Sequence, residues 1–404
     1  MRILKSSFAV VERRAEHAVK FFYAHLFRHH PEIRALFPAA AEDMERQRDR
    51  LFAALTHVIS HLDDEGVVPY LHELGRDHRK FLAGPEHYAA VGGSLIAALA
   101  ATSGSAWSAA VEKEWGEAYS VMAEAMMAGA AAGTDPPWWD ARIVRHLRYG
   151  EDLAVLTLSP HLPLPHLPGQ YLSLSSERVP TRWRTYSIGN APRPDHTLDL
   201  HVSRIDGGLL STALVEQVRP GELLRLGAAG GAMTVRPGVR PISFVAAGTG
   251  WAPVRAMLEQ LAAEPPGREV RLFVVARDTA HLYDRPLIDA WEERLPWLSV
   301  TYITPAPGRH RNQATARLAT ALGNRGRWPD HDVYLSGPPL FIEETAELLE
   351  GLGADPRRVF YDAVPAGGPD RPRPLGFGEW FLAPPDPHWL NPSGRAPGGP
   401  GTGS

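Results

Sequence analysis

The spacing of apolar residues changes three times along the chain, and no single core can satisfy all the patterns. Residues 1–133 repeat apolar side chains every three or four positions, as in AVKFFYAHLF (18–27), RLFAALTHVISHL (50–62) and AVEKEWGEAYSVMAEAMMAGA (110–130). That is the period of packed helices, and Pro31, Pro38, Pro69 and Pro85 fall where helices begin or end. TDPPWWDA (134–141) reads as a linker, because Pro136 and Pro137 cannot continue a helix. From 141 to 234 the period falls to about two. ARIVRHL, LAVLTLS, QYLSLSS, RTYSIG, TLDLHVSRI and ELLRLG predict six short strands between Pro/Gly turns, enough for a small antiparallel barrel. From 240 to 364 strands alternate with helical stretches, at 242–247, 270–276, 298–303, 333–337 and 358–364, the pattern of a parallel sheet wound on both faces.

The expected organisation is multidomain: an all-α domain over 1–133, an antiparallel β-barrel over 134–235 including its linker, an α/β parallel-sheet domain over 236–364, and a Pro/Gly-rich disordered tail over 365–404. A chain of 404 residues has room for that many cores at roughly 100–200 residues each. Composition then removes chemistries. The chain has no cysteine, which excludes disulfides, a thiol nucleophile, Cys-ligated zinc, thiolate-ligated haem and the usual iron–sulfur clusters. A redox centre must be organic or held by His or carboxylate. A formal net charge of −4 gives no general attraction to nucleic acid or an anionic membrane. No strictly apolar run reaches the ~18 residues of a membrane span, and MRILKSSFAVVERR lacks the apolar core of a secretory leader. A cytoplasmic monomer is expected.

VAAGTGWAPVRAML sets a glycine turn between a strand and a helix. Gly248 and Gly250 allow a pyrophosphate close to the backbone, Thr249 adds a hydroxyl, and Ala252 and Pro253 open a helix whose N-terminus favours an anion. A glycine turn alone is as readily an ordinary connection. LSGPP (335–339) opens at the same C-terminal edge of the sheet, where ligands of such sheets bind. Arg277 follows the second strand and could hold a ribose 2′-phosphate, which Asp278 beside it would repel. In the barrel, RWRTYSIGN supplies Arg184 for a phosphate and Tyr186 for a flat ring, and GGLLS opens a helix whose start, with Ser211, could receive a second phosphate.

In this order the motifs of residues 141–364 resemble the ferredoxin–NADP reductase superfamily. Arg184-Thr185-Tyr186-Ser187 is similar to its flavin motif, PGQY (168–171, with Gln170 and Tyr171) lies upstream of it, and Gly207–Ser211 with Gly208 is similar to its phosphate turn. Gly248–Pro253 is similar to the nicotinamide motif. The resemblance implies FAD, with Arg184 on the phosphates, Tyr186 on the isoalloxazine and Ser187 near N5. It also implies NAD(P)H. Ser336-Gly337-Pro338 departs from the family's Cys-Gly-Pro, and Asp362 stands where close relatives carry Glu beside the flavin.

The helical segment holds His25, His29, His30, His57, His61, His72, His78 and His87, and chemistry alone does not choose among them. The segment resembles the globin domain of bacterial flavohaemoglobins. That resemblance implies haem b, with His78 as the iron ligand, Tyr23, Gln47 and Leu51 on the opposite side, Phe37 on the haem, and Tyr88 in the proximal network. Trp115 and Tyr119 are similar to residues of the family's final helix. The family's proximal Glu falls on Ala130, and Glu124 lies on another helix face, so a haem of altered potential is expected rather than an empty pocket. The implied function is nitric oxide dioxygenase: NAD(P)H reduces FAD, FAD reduces haem, and O2 and NO leave as nitrate, with Tyr23, Gln47 and Tyr88 as catalytic residues. The alternatives are an NAD(P)H-dependent flavin or ferric reductase with a regulatory or vestigial globin, and a haem-based gas sensor.

Overall fold

A computed structural model describes residues 2–37, 41–265, 267–305, 312–326 and 328–361. Asp362 and the segment 365–404 lie outside the described residues. The described residues up to 132 fold mainly as helices: α1 (Arg2–Glu12), α2 (Ala15–His29), α3 (Ala41–Ser60), α4 (Val67–His78), α5 (Pro85–Ser103) and α6 (Ala109–Ala132). Their buried faces follow the sequence period. On α2, Ala18, Val19, Phe22, Tyr23 and Leu26 turn inward together. Pro85 opens α5 at its first turn, and the Ser108 side chain accepts from the Val111 N–H to start α6. The stretch Pro85–Ala106 is long and apolar enough by composition to cross a membrane, contrary to the expectation from strictly apolar runs. In this fold it packs against α2 and α6.

Two glycines set how closely these helices approach. A Cβ on Gly75 of α4 would lie 1.8 Å from the Met126 carbonyl of α6, and one on Gly129 would lie 2.2 Å from that of His72. α4 and α6 therefore meet backbone to backbone, which fixes where the end of α4, and with it His78, must sit.

Six antiparallel strands follow: β1 (Trp139–Tyr149), β2 (Leu153–Pro160), β3 (Tyr171–Ser176), β4 (Val179–Ser187), β5 (Leu198–Ser203) and β6 (Leu223–Gly230), in the spatial order β4-β3-β6-β1-β2-β5. A bridge between Ile188 and Leu200 joins the two edge strands and closes the barrel around Leu156, Leu172 and Leu200. The helix expected after GGLLS is one turn, α7 (Leu209–Thr212), continued by a π-helical turn over Ala213–Gln217 that ends in a Val218 N–H to Ala213 C=O bond. Leu210, Leu214 and Val215 plug the barrel with it.

The last domain is a parallel sheet of β7 (Ile242–Ala247), β8 (Val270–Val275), β9 (Leu298–Ile303), β10 (Asp332–Ser336) and β11 (Val359–Phe360), ordered β11-β10-β7-β8-β9. Helices α8 (Trp251–Ala263), α9 (Arg285–Arg294), α10 (Asn312–Gly323) and α11 (Pro339–Gly351) connect the strands. The chain leaves β7 in one direction and returns on its other side at β10. The switch point between β7 and β10 is where such a sheet opens a crevice for ligand.

Candidate functional site

A cavity of about 260 Å³ lies among α2–α6 and reaches the barrel. Its wall is mostly apolar, with Phe22, Leu51, Val58, Leu71, Val91 and Leu95 among the lining side chains. His78 enters from the end of α4. Its Nδ1 lies 2.7 Å from the Leu74 carbonyl, which can only accept, so Nδ1 carries the proton and Nε2 keeps its lone pair. Burial lowers the imidazole pKa, with Asp77 opposing more weakly. A neutral imidazole of fixed tautomer is the form that ligates a metal. His87 also lines the cavity, but its Nδ1 accepts from the Gly84 N–H and its proton therefore sits on Nε2, which leaves His78 as the wall histidine with an open Nε2.

Gln47 and Leu51 line the cavity from α3, one helical turn apart. Tyr23 stands behind them: it does not line the cavity, and its hydroxyl reaches the Gln47 carbonyl at 3.4 Å. The expected direct approach of Tyr23 to a bound ligand is thus replaced by a bond to α3. Phe37 packs edge-on against Tyr23 at 5.6 Å and Phe27 at 5.4 Å, also outside the cavity wall. Tyr88 does line it, and burial raises its pKa. Its hydroxyl is buried with no hydrogen-bond partner among the described residues. Ala130 offers no carboxylate, and Glu124 is exposed on α6. The Tyr119 hydroxyl donates to the Tyr88 carbonyl at 2.6 Å, over Gly92, where a Cβ would meet the Tyr119 ring at 2.4 Å. Trp115 is fully buried, with its indole N–H on the Ser7 hydroxyl at 3.0 Å. An apolar cavity, a neutral His with an open Nε2 and an orphaned Tyr88 hydroxyl fit a haem.

On the barrel, the β3–β4 register sets Tyr171 opposite Ser187, Leu172 opposite Tyr186, Ser173 opposite Thr185 and Leu174 opposite Arg184. Tyr186 packs on the barrel core, and burial raises its pKa. Arg184 donates to the Trp183 carbonyl at 2.9 Å. Two polar side chains expected at the flavin are spent on the fold. Gln170 accepts from the Leu167 N–H at 2.8 Å and donates to the Gly231 carbonyl at 3.2 Å, bracing a turn in which Gly169 (φ +101°) has no room for a Cβ. The Ser211 hydroxyl donates to the Gly208 carbonyl and accepts from the Ile205 N–H, closing its own turn. The Ser211 hydroxyl, expected at a phosphate, is thus occupied within its own turn.

In the parallel-sheet domain the two nicotinamide motifs meet. Gly248 has φ +58° as β7 turns into α8. A Cβ on Gly250 would lie 2.4 Å from the Ser336 carbonyl, and Gly337 (φ +158°) lies against Ala247. Thr249 stands on this turn, Ala252 and Pro253 are buried beneath it, and Pro338 caps α11. Both loops open at the β7/β10 switch point. Arg277 is engaged elsewhere. It pairs with Asp152 in the β1–β2 turn, while His281 contacts both Asp152 and Asp278. Arg277, expected at a 2′-phosphate, is thus paired within this interdomain cluster.

The sequence reading missed Lys80, Ser173 and Trp183, which line the cavity where the helical domain meets the barrel. Nothing in their local pattern marks them, because the contact exists only after two domains dock.

Comparison with known proteins places the three domains in families. Residues 20–126 match Globin, residues 141–234 match Oxidoreductase FAD-binding domain, and residues 244–347 match Oxidoreductase NAD-binding domain. The flavohemoprotein of Deinococcus radiodurans is 29% identical over 384 residues, covering 89% of this chain and 94% of that protein. That of Rhodopirellula baltica is 26% identical over 399 residues, covering 90% and 96%. A crystal structure of flavohemoglobin from Malassezia yamatoensis with bound FAD and heme shares the fold, with a TM-score of 0.72 and 20% identity over 89% of this chain and 97% of that one. The chain thus carries globin, flavin-binding and nicotinamide-binding domains in one polypeptide and in that order, and over about nine-tenths of its length it is similar to flavohemoproteins.

Proposed function

We propose that this chain is an NAD(P)H- and O2-dependent nitric oxide dioxygenase that converts nitric oxide to nitrate. One observation carries the reading: the half-buried, neutral His78 faces an apolar cavity whose wall is completed by Ser173 and Trp183 of the flavin barrel. A histidine site for haem b and a strand pair for FAD thus share one boundary. Bound there, haem supplies an iron that takes oxygen and exchanges single electrons, and FAD supplies the splitting of a nicotinamide hydride into single electrons.

The chain's own residues do the rest. His78 would hold the iron through Nε2, and its Nδ1–H bond to Leu74 fixes the ring and strengthens the other nitrogen as a donor. Gln47 brings amide N–H groups to the cavity, where they stabilise a ligand gathering negative charge. Tyr23 positions that stretch of α3 through the Gln47 carbonyl. Leu51 and Val91 keep water out. Arg184 would neutralise flavin phosphates, Tyr186 and Ser187 would bound the ring, and the Gly208 turn would add backbone N–H donors. At the sheet edge the Gly248–Gly250 backbone and the α8 N-terminus would receive the nicotinamide pyrophosphate, beside Ser336, Gly337 and Pro338.

The test follows nitric oxide, nitrate and NADH together in air-saturated buffer. Balance requires one nitrate per nitric oxide and one NADH per two nitric oxides; consumption without nitrate overturns the proposal. A second reading, a flavin or ferric reductase with a regulatory globin, draws on the Tyr88 hydroxyl, which meets no carboxylate. NADH-driven reduction of ferric citrate with nitric oxide untouched would select it.

A further inference from the structure

Lys80 lies just past α4, two residues beyond His78, and its side chain is 1% exposed. Its Nζ is 2.5 Å from the Asp77 carboxylate and 3.0 Å from the Ser173 hydroxyl on β3. It also sits over the Phe81 ring at 5.2 Å and the Trp183 ring at 5.4 Å. Asp77 directly precedes His78, Trp183 directly precedes Arg184, and Ser173 pairs with Thr185 across the β3–β4 ladder. One ammonium therefore joins the neighbour of the proposed iron ligand to the strand pair proposed for the flavin.

Burying an ammonium costs several kcal/mol, and an apolar side chain of similar length docks two domains more cheaply. The charge itself needs a use. The Asp77 side chain is 25% exposed and so is hydrated, while the ammonium is not. His78 feels the adjacent Asp77 carboxylate more strongly than the Lys80 ammonium, so the ammonium offsets that negative charge at the cavity both residues line, and removing it leaves the carboxylate uncompensated. A positive field at a redox centre favours the state carrying one more electron.

We propose that Lys80 is a positioning residue of the haem–flavin junction: it clamps the helical domain onto β3 and holds a buried positive charge between the two prosthetic-group sites. This rests on the haem and flavin assignment above. The experiment uses the full chain loaded with both groups and compares the wild type with Lys80→Met, Lys80→Gln and Lys80→Arg. Spectroelectrochemistry reads the haem and flavin potentials, and proteinase K reads exposure of the 133–138 linker. Lys80→Met shifts the haem equilibrium about tenfold toward the oxidised form, which is about 59 mV for one electron, and speeds linker cleavage. Lys80→Arg keeps the charge and stays within threefold of the wild type. Lys80→Gln retains polar partners for Asp77 and Ser173 and carries the same expectation if Lys80→Met fails to fold. Potentials within twofold of the wild type in both neutral variants overturn the proposal, as does an equal shift in Lys80→Arg. Wild-type protein without haem or flavin absorption overturns the cofactor assignment instead, and linker cleavage in the variants still decides the clamp.

Discussion

Gly250→Ala isolates the contact that joins the two nicotinamide loops. Gly250 has φ −59° and ψ −8°, ordinary right-handed backbone at the start of α8, so alanine brings no dihedral strain there. The added methyl is the whole perturbation. It would stand 2.4 Å from the Ser336 carbonyl oxygen, 2.5 Å from its carbon and 2.6 Å from the Gly337 nitrogen. All three are backbone atoms at the end of β10, which is held in the sheet by β7 and β11. On the other side Trp251, Ala252 and Pro253 anchor α8 in the core. Neither wall is the loose end of a side chain, so the loops must separate by about 1 Å to restore van der Waals distance. A shift of that size costs about 10²-fold in a transfer that depends on alignment, and the overpacking costs about 1–3 kcal/mol of stability. Anaerobic stopped-flow of NADH against flavin absorbance reads the rate, and dithionite reduction of the same sample shows that both prosthetic groups remain competent. Gly267→Ala is the control: its site is open, and only the positive φ is penalised, by about 1–2 kcal/mol. If Gly250→Ala reduces its flavin within threefold of the wild-type rate, the loop contact does not set the nicotinamide geometry.

Four further outcomes follow from single side chains. His78→Ala yields protein with flavin absorption and no Soret band, and a persistent Soret band would place the iron elsewhere. Tyr88→Phe removes a buried hydroxyl with no partner and stabilises the haem-free protein by about 1 kcal/mol, read as a higher melting temperature; a lower one means that the hydroxyl is satisfied. Because Asp152 already holds Arg277, Arg277→Ala leaves the ratio of KM for NADPH and NADH within threefold, whereas a large rise in the NADPH value would restore the 2′-phosphate role. Between the barrel and the parallel-sheet domain, His201 accepts from Arg255 through Nε2 and donates from Nδ1 to Tyr283; burial first and Arg255 second lower its pKa to about 3. The unfolded chain thus takes up this proton first as pH falls. The native state loses about 1.4 kcal/mol per pH unit from about 6.5 downward, and His201→Gln flattens that slope in urea titrations.

The domain layout was legible because periodicity is local: a helix or strand declares its buried face within a dozen residues, whatever it packs against. The same logic placed Gln47 and Leu51 on one face of α3, and both line the cavity. Polar side chains follow another rule. Gln170 and Ser211 stand in motifs that resemble a flavin site, yet each finds backbone partners three to six residues away and closes a turn. A short polar side chain meets its own backbone before it meets a ligand, so its presence in a motif reports the turn at least as much as the cofactor. Lys80 shows the converse. Its stem is long enough to leave its own turn, and its partner Ser173 is 93 positions away on another domain. No window of sequence contains that pair, and only the docked fold shows that a charge which looks like part of a solvated RDHRK run is buried. The groups most hidden from sequence are therefore the ones at domain boundaries, which in this chain is also where the proposed haem and flavin sites meet.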